Sequence, residues 1–172
     1  MRLPLIARLA GVAVLAACAP TGPGPGELPT HPCASESSGI EVAPPDGDFG
    51  DLAEGGSLWC GNPPQGGAPY TPFRIRLDGP EALENGVYIE MIATDLSDGS
   101  ELAYTDLTMG LTCANVGESA GSWVGSEAHM RYYGQELLDL QGREAEITVR
   151  ASALGPDPVE VEATWNVSLV LE

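Results

Sequence analysis

Side chains that can bind copper recur in the second half of the chain. Thioethers suit Cu(I) and imidazoles suit Cu(II), and both kinds lie in or beside predicted strands: Met91, Met109, Cys113, His129 and Met130. His129 and Met130 are neighbours, and neighbours in a strand point to opposite faces of a sheet. We therefore expect methionines that fill core gaps and no bound cofactor, with a copper-handling module as the alternative.

An acidic, Gly-rich loop offers oxygen ligands of the kind that Ca²⁺ prefers. Its carboxylates are Asp46, Asp48, Asp51 and Glu54. The spacing departs from the common calcium loop at Gly50, where that loop would need a further ligand. We predict a solvated acidic turn.

A serine nucleophile is suggested by Gly117-Glu118-Ser119-Ala120-Gly121. The pattern fits Gly-x-Ser-x-Gly and resembles the nucleophile elbow of carboxylesterases, which implies a strand before the serine and a helix after it. Residues 121–125 read Gly-Ser-Trp-Val-Gly and do not favour a helix, and His129 is only ten residues downstream. We predict a loop without catalytic residues and keep a serine hydrolase as the second alternative.

Aromatic residues near Gly-rich loops could form a platform for a glycan or a partner protein. They are Trp59, Tyr70, Trp123, Tyr132 and Tyr133. If Tyr132 and Tyr133 lie in a strand, one ring is buried and the other is exposed.

The N-terminal segment has the features of an export signal. Arg2 and Arg8 precede a short apolar stretch, and the segment closes with Leu15-Ala16-Ala17-Cys18. These residues resemble the lipobox of bacterial lipoprotein precursors. The resemblance implies that residues 1–17 are removed and that Cys18 carries diacylglycerol and palmitate, which anchor the protein to a membrane. The segment is too short for a membrane span, which needs about 20 apolar residues.

The net charge of the chain disfavours some classes of binding partner, and the residue after Cys18 bears on its location. The chain has a net charge of −18 and contains no lysine; without residues 1–17, five arginines and 25 acidic residues remain, a net charge of −20. Such a field repels phosphate backbones and anionic lipids, so we expect no nucleic-acid partner and membrane attachment through the lipid alone. Ala19 stands where some lipoproteins of two-membrane bacteria carry an inner-membrane retention aspartate. If the cell has two membranes, this implies the outer membrane, facing the periplasm or the surface.

Three cysteines remain if Cys18 is lipidated: Cys33, Cys60 and Cys113. An exported domain experiences an oxidising compartment, so one disulfide is expected among three pairings. We favour Cys60 with Cys113, because both lie in the patterned region and Cys33 adjoins the Pro/Gly-rich tether.

Period-two alternation of apolar residues from residue 73 onward predicts strands. Apolar residues alternate with arginines over 73–77, and Val87, Ile89, Met91 and Ala93 share one face over 87–94. Asp98-Gly99 predicts a type I′ hairpin to a strand near 101–108. The segments 144–152 and 159–171 form a second predicted hairpin. Residues 81–84 and 135–140 could each form one helical turn.

These patterns predict an all-β protein, an antiparallel two-sheet immunoglobulin-like β-sandwich that follows a disordered tether. We divide the chain into a signal peptide (1–17), a lipidated tether (18–32) and one domain (33–172), of which 33–72 is irregular apart from a short strand at 57–60. We expect a cell-envelope lipoprotein with a non-catalytic binding or structural domain, whose partner is an envelope protein or a glycan.

Overall fold

The computed structural model describes residues 31–50, 52, 56–117, 119–156 and 158–171. The predicted signal peptide, Cys18 and the tether up to residue 30 lie outside these ranges. Most described residues belong to strands, which are β1 (Gly39–Ala43), β2 (Gly56–Cys60), β3 (Tyr70–Asp78), β4 (Val87–Asp95), β5 (Glu101–Met109), β6 (Leu111–Cys113), β7 (Trp123–Gly125), β8 (Ala128–Arg131), β9 (Glu144–Ala153) and β10 (Glu160–Leu171).

The strands form two sheets that enclose one core. The first has the order β1-β3-β7-β6, with β8 paired to the beginning of β3, and the second has the order β2-β10-β9-β4-β5. The predicted two-sheet β-sandwich is confirmed. One pair departs from the expected antiparallel pattern, because β2 runs parallel to β10; the two strands are far apart in sequence, so no tight hairpin constrains their direction.

Alternation explains which side chains fill the core. In β4, Val87, Ile89, Met91 and Ala93 are fully buried while their neighbours are partly exposed. The same period-two pattern runs through β3 and β9, so each strand contributes one face to the core. On the solvent face of β9 and β10, polar side chains pair across the strands, as Thr148 does with Thr164 at 3.1 Å.

Both predicted hairpins are present, but one turn differs from its prediction. The β4–β5 connection was expected to be a type I′ turn with positive φ at Asp98 and Gly99. Only Gly99 has positive φ, at 74°. The loop is longer: Asp95 N–H donates to Ser100 O at 2.8 Å, and Asp98 Oδ1 accepts a hydrogen bond from Ser100 N–H, also at 2.8 Å.

The expectation of an irregular backbone over 33–72 was partly wrong. The predicted strand at 57–60 is present as β2, but β1 was missed. Only Ile40 and Val42 alternate there, too few for a convincing local signal, and β1 forms because it pairs with β3, with Ile40 opposite Leu77. The predicted helical turns are observed as a 3₁₀ turn (Glu81–Asn85) and α1 (Leu137–Leu140). Within the described ranges, no helix has the length and apolar character to span a bilayer.

Candidate functional site

The predicted copper ligands do not form one cluster. Met130 is fully buried, whereas the adjacent His129 ring lies at the surface, with 39% of its side chain exposed. Met109 lies opposite Val87, four residues along β4 from Met91 and therefore about 13 Å away along the strand. The three methionines occupy core positions, which accounts for them without a metal.

Ser119 lies in a tight turn between β6 and β7. Gly117 O accepts a hydrogen bond from Ala120 N–H at 3.1 Å, and Ser119 O accepts one from Ser122 N–H at 2.9 Å. A strand, β7, follows the turn, where a nucleophile elbow requires a helix. In the part of the chain that the structure describes, no hydrogen bond joins Ser119 to a histidine.

The acidic loop is described only in part. Asp46 and Asp48 lie on the connection between β1 and β2, and Asp51 and Glu54 are outside the described residues. Calcium binding there stays a prediction.

The predicted disulfide pairing was wrong. Cys33 pairs with Cys113, with 5.6 Å between their Cα atoms, and Cys60 is a free, buried thiol. Cys113 lies on β6, at one edge of the first sheet, whereas Cys60 lies on β2 in the second sheet. The two cysteines were linked because both lie in patterned sequence, but topology separates them.

The disulfide attaches the start of the described chain to the sandwich. The His31 ring stacks on Trp123 with 4.6 Å between ring centroids, and Trp123 lies opposite Cys113 in the β6–β7 pair. Ser35 N–H donates to Gly79 O at 2.8 Å. These contacts hold residues 31–35 against the sandwich, beside the disulfide.

Cys60 begins a short polar chain inside the core. Its Sγ lies 3.3 Å from Thr71 Oγ1, which lies 3.0 Å from the Tyr132 hydroxyl. Burial raises the pKa of the Cys60 thiol and raises that of Tyr132 well above its usual value. A neutral, buried thiol is a poor nucleophile and metal ligand, so the hydrogen-bonded row of Cys60, Thr71 and Tyr132 has a structural role.

Asp95 fixes the loop between β4 and β5. Its carboxylate accepts hydrogen bonds from Ser97 Oγ at 2.6 Å and Ser97 N–H at 2.7 Å, and Arg143 Nη1 donates to it at 2.8 Å. The Ser97 hydroxyl, the Ser97 N–H and Arg143, in that order of effect, lower the pKa of Asp95.

An aromatic groove lies where the end of β2, the start of β3 and the β8 strand meet. It encloses about 400 Å³ between Trp59 and Tyr70, with the Glu127 carboxylate beside them. The Trp59 and Tyr70 rings meet edge to face, with centroids 5.8 Å apart, and His129 packs on Tyr70 at 4.9 Å. We define the aromatic groove by its lining and this added ring: Pro44, Pro45, Asp46, Trp59, Tyr70, Pro72, Glu127 and His129.

Gly61 positions the two large rings of this groove. Gly61 and Tyr70 exchange two backbone hydrogen bonds, at 3.0 and 2.9 Å, which place Tyr70 beside the end of β2. The Trp59 indole folds over Gly61 so closely that a Cβ there would lie 2.4 Å from Trp59 Cζ2. Only glycine therefore permits this indole position.

Two carboxylates make the aromatic groove acidic. Glu127 Oε1 lies 2.6 Å from His129 Nε2, and Asp46 also lines the groove.

Only part of the aromatic groove could be predicted from the sequence. Trp59 and Tyr70 were among the predicted platform residues and lie together, whereas Trp123 and Tyr132 are core residues with at most 1% exposure. Tyr133 is 67% exposed and Tyr132 is fully buried, but both follow the end of β8, so the strand alternation on which that prediction depended does not apply. The contributions of Glu127, Pro44 and Gly61 to the groove were not predicted. The one local feature that pointed to any of them is that Gly61 lies two residues after Trp59.

Comparisons with known proteins add little to this geometry. No protein-family model matches the chain, and no curated protein matches it. Among solved structures, the chain is similar to a mutant of the CFA/I adhesin CfaE of enterotoxigenic E. coli, with a TM-score of 0.33 and 10% sequence identity. The similarity covers 83% of this chain and 50% of that chain, so the chain spans about half of the adhesin's length. A similarity this low carries no functional argument.

Proposed function

We propose that the protein is an exported, lipid-anchored binding module whose aromatic groove holds a carbohydrate. The aromatic groove is the observation that carries this proposal, because two partly exposed rings, Trp59 and Tyr70, line it together with the carboxylates of Asp46 and Glu127.

The lipid anchor rests on the leader sequence. Cys18 follows a basic and apolar segment with two small residues before it, and the described body begins thirteen residues later at His31. An extended tether of that length reaches roughly 40 Å. Such a tether would let the groove sample a volume next to the membrane.

The anchor is tested by Cys18→Ser in cells fed radiolabelled palmitate. The unaltered chain is expected to incorporate label and partition into detergent, and the variant is expected to do neither. Cys60→Ser is the matched control, because that thiol is buried and should leave labelling unchanged. Label that persists in the Cys18 variant, or is absent from the unaltered chain, would reject lipidation.

Ring faces and carboxylates together suit a sugar. The apolar C–H face of a pyranose can pack on the Trp59 and Tyr70 rings, as aromatic side chains favour contacts that combine an apolar body with polar rims. The Glu127 and Asp46 carboxylates can accept hydrogen bonds from sugar hydroxyls, and charge makes these bonds stronger than neutral ones. Small-ligand sites commonly combine apolar walls with a few polar groups in this way.

The charge of the groove narrows the class of sugar. A chain with a net charge of −18 and two groove carboxylates disfavours sulfated or uronic-acid glycans. A protonated amino sugar gains from both the carboxylates and the ring faces. We therefore expect amino sugars to bind best, neutral sugars less well and anionic sugars least.

Titration calorimetry on the mature chain in detergent micelles tests the groove. The probes are hexasaccharides of glucosamine, of N-acetylglucosamine and of sulfated uronic-acid units. Trp59→Ala is expected to weaken glucosamine-hexamer binding about tenfold. Gly61→Ala should weaken it as well, because the added Cβ displaces the indole while leaving both groove rings present. Tyr133→Ala is the control, an exposed aromatic that does not line this groove, and should not change the affinity.

The outcome separates sugar binding from other roles. Equal binding by the unaltered chain and Gly61→Ala, with both chains melting at similar temperatures, would refute the aromatic groove as the site. Failure of all three hexasaccharides to bind would reject a carbohydrate partner. A titration with Cu(I) and Cu(II) checks the copper alternative, for which the scattered ligand positions predict no stoichiometric binding.

A further inference from the structure

The free edge of β5 offers a second surface, distinct from the aromatic groove. Four strands end a sheet path: β1 and β6 in the first sheet, β2 and β5 in the second. β6 has three residues, β1 and β2 have five each, and β5 has nine. Among the described residues, no backbone hydrogen bond joins β5 to a strand other than β4. Proteins usually protect such an edge with lysine, proline or a covering segment. β5 contains neither lysine nor proline, and β8 approaches it through Arg131 and Thr105 but pairs with β3 rather than with β5.

The hydrogen-bond phase of the ladder identifies which residues of β5 face outward. Leu154 N–H donates to Gly86 O, and Leu96 N–H donates to Glu144 O, both at 2.9 Å. Every second residue of an antiparallel strand bonds to the same neighbour. Even-numbered residues of β4 therefore bond to β9 and odd-numbered ones to β5, in agreement with the hydrogen bond from Asp95 to Ser100.

The register between β4 and β5 then shows which residues of β5 direct their backbone groups toward β4. Met91 lies opposite Thr105, so the odd-numbered residues of β5 direct their backbone groups to β4. The N–H and C=O groups of Tyr104, Asp106 and Thr108 therefore point away from the sheet. Three such residues can form up to about six main-chain hydrogen bonds with an added strand.

The space next to this edge is open and contains one large exposed ring. A groove of about 390 Å³ is lined by residues 101–106 and by Tyr133. Tyr133 is 67% exposed and Tyr104 is 40% exposed. A strand added at the edge would cover part of both rings.

Charge determines which strand fits. Glu101 and Asp106 lie on β5, and Glu90 of the neighbouring strand accepts a hydrogen bond from the Tyr104 hydroxyl at 2.9 Å. Two cations lie near these carboxylates: Arg150, opposite Glu90 on β9, forms an ion pair with Glu162, and the backbone N–H of Arg131 donates to Thr105 Oγ1 at 2.9 Å. A second copy of the chain would bring another acidic edge and another net charge of −18, so self-pairing is disfavoured.

We propose that the β5 edge binds an extended, basic peptide segment of a partner protein by β-strand addition. Main-chain hydrogen bonds to Tyr104, Asp106 and Thr108 supply the pairing, and side-chain contacts select the sequence, as in other strand-addition complexes. The basic side chains of the partner face Glu101, Asp106 and Glu90.

The test uses a nine-residue fluorescent peptide of alternating lysine and valine, with the mature chain in detergent micelles. A peptide with the same lysines and a central proline is the control for charge alone, since proline cannot complete a strand ladder. Anisotropy is expected to show saturable binding of the first peptide and at least tenfold weaker binding of the second. Equal binding of the two would overturn strand addition.

A pair of variants at one position isolates the outward N–H group. Asp106→Ala removes the carboxylate but keeps the N–H, whereas Asp106→Pro removes both. Because the Asp106 N–H does not bond to β4, the proline should leave the β4–β5 ladder in place, which amide hydrogen exchange of β4 checks. We expect Asp106→Pro to bind the peptide at least tenfold more weakly than Asp106→Ala. Equal affinities of these variants, or concentration-dependent dimers of the unaltered chain in light scattering, would overturn the proposal.

Discussion

Removal of the Cys33–Cys113 disulfide should substantially lower the free energy of unfolding. The bond joins residues 80 positions apart in sequence. In the chain-entropy model, a cross-link around a loop of about 80 residues lowers the conformational entropy of the unfolded chain by about 15 cal/mol/K. This corresponds to about 4.5 kcal/mol of stabilisation at 25 °C. The variant with both Cys33→Ala and Cys113→Ala tests this value without leaving a single reactive thiol from the pair.

Urea unfolding, followed by circular dichroism under non-reducing conditions, measures the loss. With a denaturant slope of about 2 kcal/mol per molar urea, the transition midpoint should fall by about 2 M. Cys60→Ala is the matched control, since Cys60 is a free thiol and its removal leaves the disulfide intact. A double variant that loses less than about 1 kcal/mol, or a non-reduced peptide map that links Cys60 to Cys113, would refute the reasoning.

Four further substitutions or treatments test single features of the structure. Tyr132→Phe removes the hydroxyl that bonds to Thr71 and should lower the free energy of unfolding by about 1 kcal/mol in urea titrations. Asp95→Asn should lower the melting temperature at pH 7 but much less at pH 2, because the pKa of Asp95 is lowered in the fold and its stabilisation is lost as pH falls below about 4. Native Cys60 should resist iodoacetamide and react only after unfolding, since burial raises its pKa. Gly99→Ala should cost about 1 kcal/mol, because φ is 74° there, as measured by the urea midpoint.

Each of these expectations has a result that contradicts it. Unchanged stability of Tyr132→Phe would mean that its hydroxyl contributes nothing, and equal loss of melting temperature at both pH values would mean that Asp95 acts by packing rather than charge. Rapid labelling of native Cys60 would show that the core opens readily. Gly99→Ala has Gly155→Ala as its control, a glycine without a positive φ and with open space around it, which should change stability little.

Local sequence pattern predicted the strands because burial of one sheet face imposes a two-residue period. The alternation over 87–94 and the two hairpins were read correctly for this reason. The turn between β4 and β5 was read incorrectly, since Asp98-Gly99 allows more than one loop length. β1 was missed because five residues carry too weak a period and depend on pairing with β3.

The candidate sites depend on contacts that no local pattern encodes. Trp59 and Tyr70 could be named as aromatic candidates, but their meeting requires the Gly61–Tyr70 bridge and its glycine. Glu127 lies immediately before β8, and it reaches the groove because β8 pairs with the beginning of β3. The free edge of β5 is likewise a property of strand order, which is established only when the sheet assembles.

The amino-acid sequence by itself determined an acidic, all-β chain with a leader that resembles a lipoprotein signal. Charge and composition are sums over residues, and a two-residue period involves only near neighbours, so none of these depends on tertiary contacts. The tertiary structure alone decided that Cys33 rather than Cys60 joins Cys113, that two rings and two carboxylates share one groove, and that β5 has an open edge. Those features bring together residues that lie far apart in the chain, and packing of the two sheets against one core sets which of them meet.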